Sequence, residues 1–145
     1  MTIGTIVVVF FADSFLTPFT AFLTTLGVVI ATWGGVMLAD IALRHQDYDE
    51  PSLFTSAGRY GSVNWGAIVT LAVGSFVGWG FVVNANASWL AWQGYLLGPL
   101  GGREGDWAGS NIGILLALLV GFCGYWLTSA RRVRAQEATP SRTLG

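Results

Sequence analysis

Residues 17–48 read TPFTAFLTTLGVVIATWGGVMLADIALRHQDY, and residues 18–39 contain no charge. At 1.5 Å of rise per residue a helix over 18–39 extends about 33 Å, enough to cross a hydrocarbon core of about 30 Å. Thr17 can cap its first turn, Pro18 suits the first helical position because its missing N–H would be unpaired there, and Asp40 and Arg44 return the chain to water. This stretch makes the chain an all-α integral membrane protein.

Outward from it, residues 2–12 are apolar but span only about 18 Å as a helix, half a crossing. With no basic leader and no small-residue cleavage site they do not read as a signal peptide. They read as the end of a membrane helix joined to 18–39 by a tight turn at Asp13 and Ser14, forming an antiparallel hairpin. On the other side, 40–63 is a polar loop without period. Asn64 caps a helix over 64–83, with Trp65 and Trp79 near its ends and Gly74 and Gly78 spaced for close helix contact. In the long connection that follows, 88–97 reads as a short interfacial helix. Ser110 caps a last span over 111–128. Residues 1–130 therefore form the transmembrane region, and 131–145 a polar, disordered tail.

Composition agrees with lipid as the main solvent: 53% of residues are hydrophobic and 10% charged, and mean hydropathy is +0.60. A soluble domain of this size would expose too much apolar surface. A net charge of −1, with no basic cluster outside the tail, excludes a nucleic-acid partner, because phosphate binding needs concentrated arginine and lysine. There is no phosphate loop, no nucleophile with a base, no paired carboxylate at membrane depth and no metal-ligand spacing, so neither an enzyme nor a cofactor is expected. His45 reads as a solvated interfacial histidine and the single Cys123 as a small packing residue.

In the central helix the small residues Gly27, Ala31, Gly34 and Gly35 leave one face smooth, which permits close approach of a neighbouring helix. Thr20, Thr24 and Thr25 add polarity that is readily absorbed by back-bonding to the preceding turn.

The run GVVIATWGGVMLADIALRHQDYDEPSLF, followed by GRYGSVNW, resembles the late helix and following loop of the nucleobase:cation symporter family, the cytosine, purine, uracil, allantoin and hydantoin permeases. Gly35, Asp40, Arg44, Tyr48, Asn64 and Trp65 carry the match, with Val36, Ala39, Asp49 and the rest of the block at 62–65; Ile41 stands where an aromatic is usual. The WQGYLLG run at 92–98 resembles the cytosine/purine branch. The resemblance implies a twelve-helix transporter with a five-plus-five inverted repeat, of which this chain would be the C-terminal part, about helices 9–12. Its implied partners are the lipid bilayer, the remaining helices, and a nucleobase with H+ or Na+. It also implies that the central helix lies beside the substrate cavity as an outer gate, with Leu23, Thr24 and Gly27 as gate residues, and that the main substrate-binding helices lie outside the chain. Arginine placement puts loop 40–63 and the tail in the cytoplasm. The competing reading is an independent small three-helix membrane protein, an accessory or scaffold subunit without transport.

Overall fold

The structure, a computed structural model, describes residues 2–45, 63–84 and 87–138, with side chains from Phe15 onward. Among the described residues are three α-helices: α1 (Thr2–Leu43), α2 (Trp65–Gly80) and α3 (Ile112–Ala138). Short 3-10 turns at Ser88–Leu90, Gly98–Leu100 and Gly102–Glu104 punctuate the α2–α3 connection. No strand occurs among the described residues, and the all-helical expectation holds.

Four boundaries differ from expectation. First, α1 is one helix of 42 residues with Pro18 inside it, so the turn at Asp13 and Ser14 and the hairpin are corrected. Proline removes one donor and one intrahelical bond, and no glycine between Gly4 and Gly27 offers the chain an easy exit. Residues 2–12 thus continue into 18–39 and are not the end of a separate ninth helix. The apolar span within α1 is Phe15–Leu43, 29 residues long.

Second, α2 has 16 residues and extends about 24 Å, an apolar helix shorter than the expected 64–83, while α1 and α3 are the two among the described residues that are long and apolar enough to cross a membrane unaided. Asn64 does cap α2, its Oδ1 accepting from the Ala67 N–H at 3.3 Å. Third, 88–97 is not a helix. Its 3-10 turn ends by Leu90, and Gly94 adopts φ +80°, a left-handed conformation that an L side chain would resist. That reversal turns the chain back on α2, where Gly94 N–H donates to the Trp79 carbonyl at 3.0 Å and Leu96 N–H to the Gly80 carbonyl at 2.9 Å.

Fourth, α3 continues to Ala138 through residues assigned to the disordered tail, of which 139–145 lie outside the described residues. Arg, Ala, Gln and Glu are good helix formers, and Val133, 1% exposed, packs with Ala39, Leu43 and Tyr125. Helix propensity and burial together overcome the polarity. At its other end Ser110 does not cap α3: its hydroxyl donates to the Trp107 carbonyl at 2.7 Å, and Asn111 turns the chain with φ 51°.

The helices meet along a seam of small residues. On α3, Gly113, Ala117, Gly121, Tyr125, Ser129 and Val133 are buried at four-residue spacing. They face Val28, Thr32, Ala39 and Leu43 of α1 and, on the other flank, Gly74 and Gly78 of α2, while the adjoining Leu118 and Phe122 meet Gly35 of α1 and Gly124 meets Thr70 of α2. Such a seam supplies the dispersion contacts that hold helices together where lipid removes the hydrophobic drive for association. Gly35 is its tightest point, since a Cβ there would overlap the Leu118 carbonyl oxygen and lie 2.8 Å from the Phe122 nitrogen. Gly34, expected on the contact face, has nothing within 4 Å of where its Cβ would lie and points away from the seam. The outward faces carry Phe19, Ile30 and Trp33 of α1, Phe76 of α2 and Leu127 of α3, all exposed, as suits surfaces that meet lipid or further apolar helices.

Candidate functional site

Two polar clusters lie at opposite ends of the seam. The first begins with the four-residue spacing of Asp40 and Arg44, which places both on one face of α1. Arg44 Nε donates to Asp40 Oδ2 at 2.9 Å, with side chains only 13% and 15% exposed. Tyr125 of α3 donates its hydroxyl to Asp40 Oδ1 at 2.6 Å, so both carboxylate oxygens are bonded. Asn64 then donates to the Tyr125 hydroxyl oxygen at 3.2 Å, while its own Oδ1 caps α2 and accepts from Arg132 at 3.4 Å. One continuous chain of bonds therefore runs Arg44, Asp40, Tyr125, Asn64, Arg132 and ties together all three helices.

Its edge is closed by the extension of α3. Arg44 Nη2 donates to Gln136 Oε1 at 3.5 Å, and the His45 N–H donates to Glu137 Oε1 at 2.6 Å. The exposed His45 ring sits 3.8 Å from the other Glu137 oxygen. No group of acidic, histidine or cysteine side chains that could hold a metal occurs among the described residues.

The second cluster surrounds Thr25. Its hydroxyl donates to the Ala21 carbonyl at 2.9 Å, the back-bond expected of it, and also accepts from Gln93 Nε2 at 3.1 Å and Asn84 Nδ2 at 3.3 Å. Asn84 bonds Gln93 Oε1 as well, and the Trp79 indole N–H donates to the Thr25 carbonyl at 3.0 Å. Gln93 is 1% exposed, which makes its full set of partners an energetic requirement. Trp79 and Trp92 meet edge to face at 5.6 Å between centroids and roof this cluster. Nearby Tyr95 donates to the Phe76 carbonyl, and burial pushes its pKa upward.

These clusters separate the expected residues into three groups. Asp40, Arg44 and Asn64 come together, with Gly35 one turn away in the helix contact, whereas Trp65 is 69% exposed at the start of α2. Tyr48 lies outside the described residues. Leu23 is 50% exposed, Thr24 bonds back to the Thr20 carbonyl at 3.0 Å, and the Gly27 Cβ position meets only Ile114, at 3.7 Å. The three residues expected to form a gate are absent from the linings of the groove at 122–127 and of the cavity formed by Trp33, Val36, Ala67, Ile68 and Leu71. Sequence reading missed Tyr125, Gln93, Asn84 and Trp79 as network members. The available signal was a single amide within the aromatic run WLAWQGY, because a polar side chain in an apolar setting must find partners.

The Thr25 cluster yields a direct test. Gln93→Leu removes two bonds to Thr25 and Asn84 and leaves buried polar atoms unpaired, at a cost of about 1–3 kcal/mol. Hydrogen exchange in detergent should then show faster exchange across residues 18–25 and unchanged protection across 30–39. Unchanged protection in both would mean that the cluster does not anchor α1.

A family model described as permeases for cytosine/purines, uracil, thiamine and allantoin matches residues 2–98. The match takes in α1, α2, the Asp40–Asn64 half of the first cluster and the whole of the Thr25 cluster. No curated protein and no solved structure matches the chain. A transport family accounts for what the structure displays: apolar helices of membrane-crossing length, polar clusters tying helix to helix, and exposed apolar faces. The chain belongs to the family of permeases for cytosine/purines, uracil, thiamine and allantoin.

Proposed function

We propose that the chain is the C-terminal part of a secondary-active transporter of cytosine or a purine, coupled to H+ or Na+. In this reading the apolar span of α1 is the tenth of twelve helices, α2 and α3 are the last two, and the main substrate-binding helices lie outside the chain. In inverted-repeat transporters substrate and ion bind near the midplane on broken helices, and none of α1, α2 or α3 is broken at its middle. The segment between α1 and α2 and the end of α3 are cytoplasmic, which the arginine distribution supports: Arg44, Arg59, Arg131, Arg132, Arg134 and Arg142 against Arg103 alone. The observation that carries the reading is the family match over residues 2–98.

Within that transporter, residues 18–25 form the outer gate and Leu23 closes over substrate. Two features support this division of α1. From Val28 to Leu43 the helix buries Val28, Thr32, Gly35, Ala39 and Leu43 in the seam, whereas within 15–25 Ala21 alone is buried, against Ala87 and Leu90. Thr25, held by Gln93, Asn84 and Trp79, stands at the boundary and is suited to be the pivot.

Cells expressing the 145-residue chain alone should take up no labelled cytosine, hypoxanthine or allantoin above background. Co-expression with the preceding helices of a family permease should restore saturable uptake, and Leu23→Ala should then change its rate or substrate range at equal membrane expression. Saturable uptake by the chain alone would overturn the claim that the substrate site lies outside it.

A further inference from the structure

We infer that α3 carries a binding site for an anionic phospholipid, built from an apolar groove and two arginines beyond it. The groove has a volume of about 450 Å³ and is lined by Phe122, Cys123, Trp126 and Leu127. Phe122 and Trp126 stack at 5.7 Å and form one wall, and Leu127, 82% exposed, forms the opposite lip. The helical repeat continues the same stripe from Cys123 and Leu127 to Arg131 and Arg134, because positions four and seven residues apart share a face.

Arg131 and Arg134 are exposed, and neither is ion-paired with a described residue. Their neighbour Arg132 differs: it is turned into the first cluster, where it bonds Asn64 and the Val63 carbonyl. The helix therefore sorts three arginines within one turn into one that fastens α2 and two that face outward above an apolar groove. From Leu119, which is also exposed, to Leu127 the stripe runs about 12 Å along the axis, the depth of the upper part of an acyl chain. Apolar below and doubly cationic above, it complements a lipid with a phosphate-bearing, net-negative headgroup. A zwitterionic lipid would bring an ammonium group toward the same guanidinium pair. An uncharged apolar helix could fill the groove but would supply neither arginine with a counter-charge.

The test uses the full chain with Cys123→Ala and Leu119→Cys, labelled with a contact-quenched fluorophore at residue 119 so that the groove stays free. It is reconstituted in phosphatidylcholine vesicles containing 10 mol% of either brominated phosphatidylglycerol or brominated phosphatidylcholine. Quenching by the glycerol lipid should exceed that by the choline lipid about threefold at equal mole fraction. Arg131→Gln with Arg134→Gln should abolish the difference, and Arg131→Lys with Arg134→Lys should keep most of it. Equal quenching by both lipids would overturn the site, since the groove would then meet lipid without selecting a headgroup. Absence of quenching by either would overturn it too, because protein would then cover the groove.

Discussion

Gly35→Ala should destabilise the three-helix unit by about 3 kcal/mol, whereas Gly34→Ala, one residue away, should stabilise it by about 0.5–1 kcal/mol. The opposite signs follow from what each new Cβ would meet. At Gly35 it meets the α3 backbone at Leu118 and Phe122, which can yield only if the two helices move apart and lose contact along the seam. At Gly34 it meets open space, and alanine's higher helix propensity is then the only effect. Unfolding of the purified chain in mixed micelles of increasing denaturing-detergent fraction measures both. Equal effects at the two positions would show that α1 and α3 do not pack in this register.

Asp40→Ala should cost roughly 3–5 kcal/mol, because it leaves the Arg44 guanidinium and the Tyr125 hydroxyl without their carboxylate in a largely buried setting. The pair is more costly to break than to replace. Asp40→Leu combined with Arg44→Met removes both charges and should recover most of the loss, leaving mainly the Tyr125 hydroxyl proton without an acceptor. Tyr125→Phe alone should cost about 2–3 kcal/mol, because it removes the bond to the Asp40 carboxylate together with the one accepted from Asn64. The same micelle titration reads all three. If Asp40→Ala costs less than Tyr125→Phe, the carboxylate is not the centre of the network.

Asp40, Arg44 and Asn64 were legible as marked positions through their resemblance to the permease pattern, and the structure supplies their physical role. Each is a polar residue at the end of an apolar run, and their mutual bonds draw on Tyr125, which is 61 residues from Asn64. Nothing local in GYWLT announces that the tyrosine faces a carboxylate of another helix. Gln93 was equally silent, since its partners Thr25 and Asn84 are assembled only when Gly94 reverses the chain against α2. Leu23, Thr24 and Gly27 differ in kind: Leu23 is 50% exposed and Thr24 bonds only back to the Thr20 carbonyl, so their proposed role as a gate draws on no contact between them.

From the sequence alone came the solvent, the fold class, the approximate cores of the three helices and the family, because these depend on apolar run length, charge exclusion and a local pattern of residues. Tertiary contact decided the rest. Val133 in the seam and Glu137 on the His45 amide carry α3 through a run whose polarity argued for disorder. The difference between Gly34 and Gly35 is likewise set by the direction from which α3 approaches, a quantity no single helix contains. Even the continuity of α1 across Pro18 shows the limit of local reading: the lost hydrogen bond and ring clash cost about 3 kcal/mol, which the bonds retained by the helical turns on either side outweigh.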